Sequence, residues 1–94
     1  MAAVRSLRNS DLRDRSIRVL DDLGGSAYPT LLASKLETNV QELHMMMLGY
    51  EGRYSYELSP VSMEWVTLVG TPLGDEYVLT EEGRRVARLP SPRP

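Results

Sequence analysis

Tyr28-Pro29-Thr30-Leu31-Leu32-Ala33-Ser34-Lys35-Leu36-Glu37-Thr38-Asn39-Val40-Gln41-Glu42-Leu43-His44-Met45-Met46-Met47-Leu48-Gly49-Tyr50-Glu51-Gly52 reads as a short helix, a tight break and a second helix closed by glycine. Leu32, Ala33 and Leu36 share one helical face before the break. Val40, Leu43, Met47 and Tyr50 share one after it, at the spacing of an amphipathic helix. Thr38 and Asn39 are suited to cap the second helix, because their short oxygens accept its orphan N–H groups. Pro29 fits the first turn of the first helix, where its missing N–H costs nothing. Gly52 stands where a left-handed C-cap would fall. A short helix, a corner and a second helix make a helix-turn-helix unit.

Working outward toward the N-terminus, residues 1–9 read as a flexible lead. Val4 and Leu7 there are able to extend the first helix or touch a partner. Asn9 or Ser10 caps a helix to about Leu23, with Leu12, Ile17, Leu20 and Leu23 as its buried stripe. Gly24-Gly25 stops it. Ser26-Ala27-Tyr28 is a short link with the length of a brief strand.

Beyond Gly52 the pattern changes from helical to period two. Tyr54, Tyr56 and Leu58 alternate with Ser55 and Glu57, which predicts a strand. Ser59-Pro60-Val61-Ser62 makes a turn. Met63–Val69, rich in β-branched and aromatic residues, is a second strand with Trp65 as a core residue. Gly70–Asp75 is a turn and Glu76–Leu79 a third strand. Thr80 caps a last helix ending near Leu89, with Glu81 and Glu82 at the positive end of its dipole. Residues 90–94, Pro-Ser-Pro-Arg-Pro, form a disordered tail whose alternating prolines miss the P-x-x-P spacing.

The order helix, helix-turn-helix, hairpin, helix resembles the winged helix-turn-helix family of small prokaryotic transcription regulators. The resemblance covers about residues 10–89. Leu32-Ala33-Ser34-Lys35-Leu36 is similar to the second helix of such domains, and Tyr50-Glu51-Gly52-Arg53 to the end of the third. Tyr77-Val78-Leu79-Thr80-Glu81-Glu82-Gly83-Arg84-Arg85 is similar to the strand leaving the wing and the helix it starts. The implied fold is α+β: a three-helix core, a two- to three-stranded antiparallel wing and a C-terminal helix. The implied function is a small DNA-binding protein, a transcriptional regulator acting as a dimer on double-stranded DNA. Helix three would enter the major groove, and the wing tip, Gly70–Asp75, would touch the backbone or the minor groove.

With Val40, Leu43, Met47 and Tyr50 inward, helix three turns Gln41, Glu42, Met45, Leu48 and Gly49 outward, flanked by Asn39 and His44. Gln and Asn side chains bond adenine bidentately. On the DNA reading, Gln41, Asn39 and His44 meet bases beside Thr38, while Lys35, Arg53 and the terminal arginines hold phosphates. Charge argues for less. Net charge is −2, and phosphate contacts from basic side chains supply much of the affinity for DNA. The first twenty residues hold five arginines against two aspartates, and residues 84–94 hold four arginines and no acid. The middle is acidic, so the basic ends pair with it or face solvent.

Met45–Leu48 makes helix three apolar on most of its circumference, so it is covered on more than one side. The cover is segment 53–62, a second copy of the chain, or another protein. Methionines adapt to irregular apolar partners. The alternative function is therefore a winged-helix assembly module that binds protein and not DNA, through Glu42, Met45 and Leu48.

Catalysis is not expected. One histidine and no cysteine exclude the common zinc sites and thiol nucleophiles. Phosphate-loop, dinucleotide and nucleophile-elbow motifs are missing, and the acidic pairs are sequence neighbours rather than an acid facing a base. No cofactor is implied. No apolar run reaches membrane-spanning length and the N-terminus lacks an apolar signal core, so the sequence predicts a cytoplasmic protein with no membrane partner.

Overall fold

The computed structural model describes residues 2–50 and 52–89, with side chains from Leu12 onward. Those residues form a small α+β domain of four helices and a three-stranded antiparallel sheet. In chain order they are α1 (Ala2–Asp22), β1 (Ser26–Ala27), α2 (Pro29–Lys35), α3 (Val40–Leu48), β2 (Val66–Thr71), β3 (Gly74–Leu79) and α4 (Glu81–Ala87). The anticipated tail, residues 90–94, lies outside the described part.

Helix α1 begins at Ala2, ahead of the caps anticipated at Asn9 or Ser10. Ile17 and Leu20 anchor it in the core. Gly24 and Gly25 stop it, their N–H groups donating to the carbonyls of Asp21 and Leu20. Pro29 opens α2 as the sequence implied. Leu32, Ala33 and Leu36 are buried beneath it. Beyond Lys35 the Glu37 N–H bonds to the Ser34 carbonyl, and the Thr38 N–H to that of Ala33. This double closure needs a left-handed residue, and Glu37 supplies it at φ 57°.

Asn39 caps α3, its Oδ1 accepting the Glu42 N–H at 2.8 Å. The helix ends at Leu48, three residues short of the anticipated Glu51, and Gly49 rather than Gly52 makes the break. Gly49 has φ +86° and packs on the Tyr56 backbone, where an added Cβ would stand 2.5 Å from its Cα. That shortening moves the buried face. Leu43, Met46 and Met47 face the core, whereas Tyr50 is exposed instead of inward.

The strand read from Tyr54, Tyr56 and Leu58 is not formed. Tyr54 makes one bridge to Tyr50 and is buried, but Tyr56 and Leu58 are exposed. The chain from 55 to 65 is a series of turns. Ser59 organises them, its hydroxyl donating to the Tyr56 carbonyl and accepting the Ser62 N–H. Val61 N–H reaches the Met47 carbonyl at 3.2 Å, satisfying part of the end of α3.

The sheet draws its third strand from Ser26–Ala27 instead, in the order β1-β3-β2. β3 is central. Val66 faces Leu79, Leu68 faces Tyr77, and Ala27 pairs with Tyr77 from the other side. β2 starts at Val66, three residues later than Met63, and Trp65 sits half-buried just before it, packed against the core. Thr80 caps α4, accepting the Gly83 N–H at 3.0 Å and donating to the Glu64 carbonyl. Tyr77, Leu20, Leu32, Leu43 and Met47 meet at the centre of the core.

Candidate functional site

The corner between α2 and α3 gathers the polar residues with a reason to be exposed. Lys35, Asn39 and Gln41 are exposed, and Thr38 is half-buried between them. Burying Leu36 on one side of the corner and Leu43 on the other leaves these positions facing solvent. Asn39 spends its carbonyl oxygen on the cap, so its amide N–H group remains for an outside acceptor. Gln41 is one residue into the helix.

His44 and Arg53, assigned to the same DNA-facing group by sequence, stand elsewhere. His44 is half-buried and turned toward the sheet, where its Nδ1 meets the Tyr77 hydroxyl. The two rings lie 5.5 Å apart at 49°. Burial raises the Tyr77 hydroxyl well above the ordinary tyrosine range, with Asp75 adding to the effect. Its phenol therefore stays protonated as a hydrogen-bonding partner of the imidazole.

Arg53 follows the helix and pairs with it. Its guanidinium bonds Glu42 Oε2 at 2.9 Å, and the same oxygen accepts the Tyr54 hydroxyl. The Arg53 guanidinium also lies 5.8 Å from the Tyr54 ring centroid. Desolvation, then the hydrogen bond and charge of Glu42, push the Tyr54 hydroxyl up to about 12. Glu42 is thus neutralised and the chain after α3 is pinned to the helix's first turn. Tyr54 and Tyr77 are partners that the sequence reading did not single out. Tyr54 lies beside the flagged Arg53, but nothing in the local sequence marks Tyr77.

Of the alternative contact residues, Glu42 is engaged in this cluster, Met45 is half-buried against the core, and Leu48 is 42% exposed. Met46 and Met47 are covered by the domain itself.

The hairpin turn falls at Pro72-Leu73, and Leu73 is 84% exposed. Thr71 Oγ1 donates to the Gly74 carbonyl at 2.6 Å and accepts the Leu73 N–H, and Tyr28 Oη lies 3.1 Å away. That contact ties the hairpin to the start of α2. No basic side chain occurs on either strand, and Asp75 is exposed near the tip. Terminal arginines are partly neutralised: Arg88 reaches Asp21 at 3.2 Å, and Arg85 bonds Glu82 within α4. Among the described residues there is no His, Cys, Asp or Glu group able to hold a metal ion, and no helix long and apolar enough to cross a membrane.

A family model described as EarA-like matches residues 3–89, and the chain belongs to that family. No curated protein and no solved structure matches it.

Proposed function

We propose that this member of the EarA-like family is a winged-helix DNA-binding protein, a transcriptional regulator that docks through the α2–α3 corner. The observation that carries the reading is the exposed polar group Lys35, Asn39 and Gln41 around the corner into α3, a helix that buries Leu43, Met46 and Met47 on its other side. A helix held this way presents its N-terminal turn to a groove, which is how recognition helices meet base edges. Gln41 and the free amide of Asn39 suit adenine; Lys35 suits a phosphate. β2 and β3 make the wing.

Glu42 is compatible with this reading because Arg53 and Tyr54 hold its carboxylate. The wing is poor in charge, so affinity rests on few phosphate contacts and falls steeply with salt. A homodimer would double the contacts.

The experiment is an NMR titration of labelled protein with generic duplex DNA at low and moderate salt. Shifts at Lys35, Asn39 and Gln41 that fade as salt rises support the reading. Unmoved spectra at low salt reject it and leave a protein partner on Leu48, the exposed apolar residue at the end of α3, as the reading to pursue.

A further inference from the structure

Among the described residues β2 is an edge strand: it pairs with β3 on one side, and β1 lies across the sheet. Its open side can be assigned residue by residue. Successive residues of a strand direct their N–H and C=O groups to alternate sides. Val66 N–H bonds the Pro60 carbonyl at 3.3 Å, away from β3, while the Trp65 carbonyl accepts from Thr80 on the β3 side. Leu68 and Gly70 therefore direct their N–H and C=O groups outward. Leu68 is 38% exposed and Gly70 is exposed. Natural edges are normally blunted by charge, proline or a bulge. Val66-Thr67-Leu68-Val69-Gly70-Thr71 has no charged residue and no proline, and its register with β3 is unbroken.

We propose that this edge is the interface of a homodimer, formed by two β2 strands pairing antiparallel about a dyad at Val69. The strand is complementary to itself in this register. Leu68 of one copy faces Gly70 of the other, and each pair exchanges hydrogen bonds between outward-directed groups. Thr67 then lies opposite Thr71, and Val69 opposite Val69, β-branched pairs that suit a sheet. The pairing also ends where it should. The next residues brought together are Val66, whose N–H is already given to Pro60, and Pro72, which has no N–H. The nearest charges along the chain, Glu64 and Asp75, fall outside the paired stretch, so no like charges oppose. A second copy satisfies this edge with a closed two-fold interface, continuing the sheet across both molecules. The proposal is independent of DNA binding.

Sedimentation equilibrium over a wide concentration range, without DNA, tests it. The wild type shows a monomer–dimer equilibrium. Val69→Lys, which sets two ammonium groups across the dyad, weakens it by about tenfold or more; Val69→Ile preserves it. A second test uses the absence of cysteine in the chain. In the dimer Val69 is a non-hydrogen-bonded pair with Cα atoms roughly 4.5 Å apart, within disulfide reach. Val69→Cys forms a covalent dimer under mild oxidation much faster than Leu73→Cys at the hairpin tip. A wild type that stays monomeric throughout, a dimer indifferent to Val69→Lys, or equal cross-linking at the two cysteines overturns the proposal.

Discussion

Gly83 lies so close to Trp65 that a Cβ on the glycine would stand 2.0 Å from the Trp65 carbonyl oxygen. The same oxygen accepts the Thr80 N–H at 3.0 Å, so α4 is seated on the backbone that leads into β2. Backbone atoms cannot rotate aside as a side chain would. Gly83→Ala is expected to destabilise the fold by about 1–3 kcal/mol, despite alanine's better helix propensity. Urea unfolding followed by circular dichroism measures it, and an unchanged midpoint would contradict the close seating.

The two side-chain caps should differ in cost. Asn39→Ala removes one bond to the Glu42 N–H and is expected to cost about 1 kcal/mol. Thr80→Ala removes a cap and also a hydroxyl donated to the Glu64 carbonyl, so its cost should be larger. Paired thermal melts of the two variants provide the comparison.

Tyr54 makes stability depend on pH in the alkaline range. Its hydroxyl ionises near 10 in the unfolded chain and near 12 in the folded one, so the native state holds its proton longer. The stabilisation is complete below pH 10, declines as pH rises from there, and is lost above about 12. Tyr77 is raised in the same direction and contributes in the same sense. Denaturant titrations from pH 8 to 11.5 should show falling stability, with a shallower fall in Tyr54→Phe.

Glu42→Ala separates the roles of the cluster on α3. It removes an acid from the proposed DNA-facing helix and releases the Arg53 guanidinium from its 2.9 Å contact. If the corner reads DNA, fluorescence anisotropy at low salt should show binding tightened about three- to tenfold. Lys35→Ala with Gln41→Ala should abolish it. Tightening without any response to the second pair would move the docking surface away from the corner.

Local chemistry was legible in the sequence where one residue does its work within a turn. Pro29, Asn39 and Thr80 were each recognisable as helix starts, and each is one. Segment 53–65 was not. Tyr54, Tyr56 and Leu58 alternate as a strand does, but the turns fixed by Ser59 fold this segment back on the end of α3, where Tyr54 bridges Tyr50 and Val61 reaches Met47. The sheet had taken Ser26–Ala27 at the place beside β3, a pair too short to carry any period. The end of α3 misled for a related reason. Gly49 and Gly52 are equally good stops locally, and the approach of Tyr56 decides between them. The exposed corner was foreseeable from the amphipathic spacing. The engagement of Glu42 by Arg53 and Tyr54, and of His44 by Tyr77, depends on chain reversals that spacing does not encode.

The contact of Gly49 with Tyr56 has a consequence for how the protein is able to change. Any side chain at position 49 would set its Cβ 2.5 Å from the Tyr56 Cα, on backbone that cannot rotate aside. Where α3 ends is thus tied to a single residue type, since the left-handed Gly49 lets the chain turn beneath Tyr56. Descendants of this chain are therefore held to glycine at position 49, while the exposed Leu48 beside it and the opening turns of α3 stay open to change.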